Sequence, residues 1–200
     1  MKEDVCYVAS DFRSDMNATL LRGKANYVIR DYVLPDYIEV KRGYVRAPEE
    51  TTGKSQAGEQ IIRMNNERIA VPEVLFHPSD VGVQEMGIPE AIHLAVSLCS
   101  EESQPHLYNN VVLTGGCAHF PGIRQRVEDD LRRLVPDEYD VRVSLPDNPT
   151  TAAWRGGKRL VEEAKEDFLE SRVTRKEWQE FGNSICARRF EKRSDMRTEQ

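Results

Sequence analysis

Two adjacent glycines, Gly115 and Gly116, follow the apolar run Val111-Val112-Leu113 and lead into Phe120-Pro121-Gly122. Paired glycines let a ligand approach the backbone without meeting a Cβ. Pro121 suits the first turn of a helix, whose free N–H groups and dipole attract negative or polar groups. A flat ring such as adenine could lie over the glycines, with Phe120 and His119 beside it. An ordinary tight turn in an α/β unit accounts for the same residues.

The other reactive side chains assemble nothing comparable. Cys117 and His119 are two apart, but no second Cys/His pair stands at a spacing that would complete a zinc site, so no metal centre is expected. His77, His93 and His106 are isolated. Phosphate-loop, nucleophile-elbow and zinc-protease signatures are missing. The carboxylate pairs Glu101-Glu102, Asp129-Asp130 and Glu162-Glu163 fall on polar helix faces, where solvation explains them. No catalytic constellation emerges. The basic cluster Arg188-Arg189 and Lys192-Arg193 is diluted by Glu191 and Asp195, and reads as a solvated tail rather than a grip on phosphates.

Helical and strand periods alternate along the chain, which points to an α/β protein. Asp4 to about Leu20 reads as one helix with Val5, Val8, Phe12 and Met16 on a face. Tyr27–Leu34 reads as a strand ending at Pro35. Residues 41–59 are polar and aperiodic, and read as a surface insertion or flexible loop. IIRMNNERIAV (61–71) suggests two short strands around Asn65-Asn66. Ile88, Ala91, Ile92, Ala95, Val96 and Cys99 make a buried helical stripe. Strand Asn110–Thr114, the glycine turn, a helix from Pro121 to Leu134 and strand Tyr139–Leu145 form a β-α-β unit with parallel strands. Its helix shows Ile123, Val127, Leu131 and Leu134 on one side. A helix from Thr151 to Ala164 is interrupted by Gly156-Gly157. Thr174 and Glu177 match a capping box.

Length and charge frame these elements. Two hundred residues suit one good-sized domain or two small ones. The formal net charge is −6, which excludes a globally basic nucleic-acid binder. Residues 155–200 hold 12 basic against 10 acidic side chains, whereas residues 1–154 hold 16 against 24. No stretch approaches the ~18 apolar residues of a membrane span. The acidic start Met1-Lys2-Glu3-Asp4 has no apolar run behind it, so no signal peptide is expected. The four scattered cysteines form no CxxC pair and are expected to be reduced.

The order of segments resembles the C-terminal half of the actin family. The carrying segments are KEDVCYVASDF (2–12), YVLPD (32–36), NERIAVPEVLFHPSDVGVQEMGIPEAI (66–92), NVVLTGGCAHFPGIRQRV (110–127), YDVRVSLPDNPTTAAWRGGKRL (139–160) and VTRKEWQEFGNSIC (173–186). They cover most of residues 2–190 in family order. The resemblance implies an α/β, actin-like (ribonuclease H-like) ATPase fold, of which this chain is the C-terminal portion of a two-lobed structure. Residues 1–85 would form the second lobe's outer subdomain, with the insertion at 41–59. Residues 86–150 would form an inner β-α-β subdomain on the adenosine side. Residues 151–190 would be helices returning to the first lobe, and 191–200 a disordered tail.

Carried over position by position, the resemblance places Lys2 and Glu3 on contacts to the adenosine ribose and ring. Gly115 and Gly116 fall on the adenosine glycines, and Phe120 on the adenine-flanking aromatic. It implies ATP as ligand, in a pocket that these residues only half supply. The phosphate hairpins and the residues that position catalytic water would belong to a preceding half. Thr150 stands where conventional members have a lysine beside the nucleotide. Ser79-Asp80-Val81-Gly82-Val83 stands where they carry an aromatic-apolar loop used in filament contacts, and burying an unpaired Asp80 there would be costly.

Within the family, the segments ERIAVPE, QEMGIPEAI and LPDNP together with the 41–59 insertion resemble a nuclear actin-related branch. That branch implies a non-catalytic structural subunit of a Swr-type chromatin remodelling complex, which exchanges a core histone for its variant. Its implied partners are the Swr-type ATPase, a zinc-HIT-domain protein and, indirectly, the nucleosome; its implied compartment is the nucleus, with the cytoplasm second. No membrane partner and no filament self-assembly are expected. The rival expectations are a filament-forming ATPase and, more distantly, a small-molecule kinase of the same superfamily. An isolated 200-residue chain is expected to expose apolar surface and to be marginally stable.

Overall fold

A computed structural model describes residues 1–56 and 58–197, with side chains through Phe190. The chain divides into two compact units, the first comprising Met1–Thr150 and the second starting at Thr151.

The first unit opens with α1 (Lys2–Val5) and α2 (Phe12–Thr19), not with one continuous helix. Cys6–Ser10 lies between them because its backbone is claimed from elsewhere. The Tyr7 N–H donates to the Arg68 carbonyl at 3.1 Å and the Val8 N–H to the Pro121 carbonyl at 2.9 Å. The Asp11 carboxylate then accepts from the Ser14 N–H at 3.0 Å and caps α2.

Strand β1 (Arg30–Val33) is the centre of a three-stranded antiparallel sheet, flanked by β2 (Tyr44–Val45) and β3 (Ile61–Met64). The insertion 41–59 supplies β2 and a 3-10 turn at Pro48–Glu50. It is tied to the sheet rather than loose. Fully buried Asp31 accepts from Arg63 Nε at 2.8 Å and from the Gly53 N–H at 2.6 Å. Buried Arg46 donates to the Lys54 carbonyl at 2.8 Å and pairs with Glu59. Burial by itself would raise the Asp31 carboxyl, but the Arg63 and Gly53 hydrogen bonds and the Arg63 and Arg46 charges outweigh it and hold it low.

After β3 the chain forms α3 (Glu67–Glu73), where a second strand was expected. The Asn65 N–H donates to Glu67 Oε2 at 2.8 Å, and the buried residues Ile69, Pro72 and Glu73 follow helical rather than alternating spacing. Helices α4 (Ile88–Ser97) and α5 (Gln104–Tyr108) come next. Of the expected buried stripe, Val96 is buried, Ile88 and Ile92 are half-buried, and Ala91, Ala95 and Cys99 are exposed.

The β-α-β unit is present: β4 (Val111–Val112), α6 (Ile123–Leu134) and β5 (Val143–Ser144), with the strands parallel. Both strands are shorter than their apolar runs, because each has a single neighbour and the backbone leaves the ladder at Gly115, where φ is 99°. One core cluster gathers Cys6, Val8, Phe76, Phe120, Ile123, Val127 and Val143; another gathers Val96, Tyr108, Leu131 and Val135. Leu134 is exposed rather than part of the buried face.

The second unit consists of α7 (Ala152–Glu163), α8 (Lys165–Ser171), α9 (Arg175–Phe181) and α10 (Asn183–Arg197). Gly156 and Gly157 do not interrupt α7, and the extension to Arg197 carries helix into the stretch expected as a disordered tail; 198–200 lie outside the described residues. Residues 183–197 contain no Gly or Pro and include four Arg with Ala187, Glu191, Lys192 and Met196, which favours a helix. The expected capping box forms: Glu177 Oε2 accepts from the Thr174 N–H at 2.7 Å, and the Glu177 N–H donates to Thr174 Oγ1 at 3.3 Å. Arg189 joins α10 to α9 through Glu177 Oε1 at 2.8 Å. None of residues 152–190 is buried, and Trp154 is 71% exposed.

Candidate functional site

The glycine turn is built by its two ends. At the front, the Gly115 N–H donates to the Pro149 carbonyl at 2.9 Å, and the backbone turns at positive φ into a 3-10 turn over Gly116–His119. At the back, Phe120 packs into the core and is only 6% exposed. Pro121 precedes the helix instead of opening it. Gly122, at φ 86°, is the residue before α6, and a Cβ there would be driven into the Val8 carbonyl oxygen. Sequence reading overlooked Gly122; its signal was the Pro-Gly dipeptide ahead of a helical period.

A Cβ built on Gly115 or Gly116 would meet nothing within 4 Å, so the space over both glycines is open. Lys2 Nζ lies 5.9 Å from the centre of the Phe120 ring, which brings α1 to the same turn. Glu3 is exposed in the same α1 turn. A neighbouring cavity of about 420 Å³ is lined by Phe120, Pro121, Gly122, Leu145, Pro146 and Asp147, among others, but not by Gly115, Gly116, Lys2 or Glu3. His119, which also lines this cavity, meets Thr150 Oγ1 through Nε2 at 2.9 Å. Among the described residues, no group of three His, Cys, Asp or Glu side chains could hold a metal ion.

The most heavily satisfied buried polar cluster lies behind the turn. Arg126 reaches from α6 to Glu73 at the end of α3, with Nη2 2.8 Å from Oε1 and Nη1 3.2 Å from Oε2. Its Nη1 also donates to the Ala9 carbonyl at 2.7 Å and its Nε to Asp130 at 2.6 Å. The guanidinium carbon sits 4.8 Å from the centre of the Phe76 ring. This network clamps the extended Cys6–Ser10 segment against the helix that follows the glycines. It was missed in the sequence, although Arg126 stands three residues after Ile123 on the apolar side of α6.

These features define an α/β protein in which the Gly-Gly turn leaves open backbone and α1 approaches the same turn through Lys2 and Phe120. The sequence profile of the actin family, described as "Actin", matches residues 1–191. The chain belongs to the actin family. It is 42% identical over 182 residues to Actin-related protein 6 of Drosophila melanogaster, covering 91% of this chain and 45% of that protein. It is 35% identical to Actin-related protein 6 of Arabidopsis thaliana, covering 94% of this chain and 49% of that one. Actin-like protein ARP6 of Yarrowia lipolytica is 37% identical over 191 residues, covering 96% and 47%. The chain spans about half the length of the curated relatives it matches. The branch resemblance read from its segments therefore agrees with the names of these relatives.

Proposed function

We propose that this chain is the adenosine-side half of a non-catalytic actin-related subunit of a Swr-type chromatin remodelling complex, working in the nucleus beside the Swr-type ATPase and a zinc-HIT-domain protein. The observation that carries this reading is the match of nearly the whole chain to relatives named actin-related protein 6. Exposed Asp80, in the 3-10 turn Pro78–Val81, supports the non-filament part, because filament packing would strip water from an acidic side chain.

Within this reading, Gly115 and Gly116 offer open backbone to the adenosine of ATP, and Lys2 and Glu3 from α1 contact its ribose and ring. Phe120 fixes the turn from within the core, and Lys2 lies over its ring. The bound nucleotide serves to hold the two lobes together rather than to be turned over. Sedimentation of a longer form that contains both lobes, with and without ATP and alongside a phosphate-release assay, tests this against a filament-forming ATPase. Neither a pellet nor turnover is expected; filaments with ATP hydrolysis would overturn the reading.

A further inference from the structure

We propose that the groove beneath the 41–59 insertion is a docking site for an acidic, partly apolar peptide segment of a partner protein. The groove measures about 970 Å³ and lies between the end of α2, the approach to β1 and the Pro48–Thr52 stretch of the insertion. Arg22, Lys24 and Arg30 line it, against a single acid, Glu49. Among the described residues none of these three cations has a carboxylate partner: Arg30 donates its Nη1 only to the Tyr27 and Ile29 carbonyls, at 2.9 and 2.6 Å. By contrast, the fourth cation of the lining, Arg63, is committed to Asp31.

An excess of unpaired cations in a chain of net charge −6 marks a local reversal of the molecule's field, which selects an anionic partner. The apolar walls decide its class. Leu21 is 53% exposed and Tyr27 52% exposed, and both line the same groove. The Tyr27 hydroxyl donates to Asp15 Oδ1 at 2.6 Å, so the ring is held in place before anything binds. A peptide that alternates acidic and apolar side chains satisfies both features. A nucleic-acid strand would use the cations but leave the apolar wall of Leu21 and Tyr27 uncovered. The inference stands apart from the remodelling assignment, since it uses only groups lining the groove.

The test is fluorescence anisotropy on the full chain with a fluorescein-labelled peptide that alternates Asp with Leu and Phe. Its counterpart carries Asn for Asp, and a competing arm uses a duplex DNA oligonucleotide. Arg22→Glu with Lys24→Glu changes two exposed side chains and is expected to weaken the acidic peptide about tenfold or more. Arg155→Glu with Lys176→Glu makes the same change in net charge elsewhere and is expected to leave binding unaltered. Glu49→Lys is expected to tighten binding several-fold, and this decides the matter if the double reversal fails to fold. Equal affinity for the Asp and Asn peptides, equal loss in both double variants, no gain with Glu49→Lys, or preferential binding of DNA would each overturn the proposal.

Discussion

Arg126 and Glu73 form a two-pronged ion pair that links α6 to α3, and both side chains are more than nine-tenths buried. Nε, Nη1 and Nη2 of the guanidinium make four hydrogen bonds, two to Glu73, one to the Ala9 carbonyl and one to Asp130. His77 Nδ1 also meets Glu73 Oε1, at 2.8 Å. A buried pair of this kind adds little net stability relative to apolar side chains, yet breaking it strands a charge. Arg126→Met is therefore expected to lower the unfolding free energy by about 3–5 kcal/mol. Glu73→Leu combined with Arg126→Met is expected to recover most of that loss. Urea unfolding of the two variants is the check.

The glycines at the turn separate two kinds of strain. Gly122→Ala combines a left-handed backbone with a Cβ against the Val8 carbonyl, so the Val8–Pro121 hydrogen bond must give way. Gly115→Ala meets open space and adds only the backbone cost of its φ 99°, ψ 175° conformation, about 1–3 kcal/mol. Gly122→Ala is expected to lower Tm clearly more than Gly115→Ala. Gly115→Ala is expected instead to weaken ATP binding in a longer form that contains both lobes, read by titration calorimetry.

The insertion offers a third test. Asp31 holds Gly53 and Arg63 together, and its side chain's removal leaves the Gly53–Lys54 stretch, beyond the β1–β2 pairing, held by the Arg46 hydrogen bond to the Lys54 carbonyl. Asp31→Ala is expected to speed trypsin cleavage at Lys54 at least several-fold, with little change elsewhere in the first digestion products. Mass spectrometry of the early fragments reports the site.

Acid should loosen the α9–α10 connection. Hydrogen bonds from the Thr174 hydroxyl and N–H, then from Arg189, hold the Glu177 carboxyl down to about 2 from its ordinary 4.5. A folded-state value below the unfolded one contributes stability above pH 4.5, and that contribution is lost as pH falls through about 2. Protection of the amides of residues 174–189, measured relative to their intrinsic exchange rates, is expected to fall across this window, and Glu177→Gln is expected to remove that fall.

What could be read in advance from the chain was what is local. Thr174 and Glu177 are three residues apart, so their capping box needs no tertiary information. The β-α-β unit followed from runs of the right period on either side of Gly115-Gly116. Where partners lie far apart in sequence, reading failed. Glu73 and Arg126 are separated by 53 positions, and nothing in the period of α6 announces the pairing. The Cys6–Ser10 break in the expected first helix arises from carbonyls at Arg68 and Pro121, again distant. The 41–59 segment read as loose because its polar residues have no period; Asp31, ten or more positions upstream, is what fixes Gly53. At the site, the types Gly115, Gly116 and Phe120 were visible, whereas the near-complete burial of Phe120 and the need for Gly122 depended on the packed core.

The second unit carries one further expectation. Residues 152–190 bury no side chain, and Trp154, Trp178, Phe181 and Phe190 are each about half exposed or more. Exposed aromatic surface on this scale binds hydrophobic dyes and promotes association. The isolated chain is expected to bind such a dye in native buffer and to elute as more than a monomer, with Trp154→Glu reducing both effects.

Affinity purification of a tagged form from nuclear extract, with mass spectrometry of what is retained, tests the central assignment most directly. Recovery of the Swr-type ATPase and a zinc-HIT-domain protein in near-stoichiometric amounts is the expected result. Recovery of no remodelling subunit, from an extract in which the assembled complex is present, would contradict it.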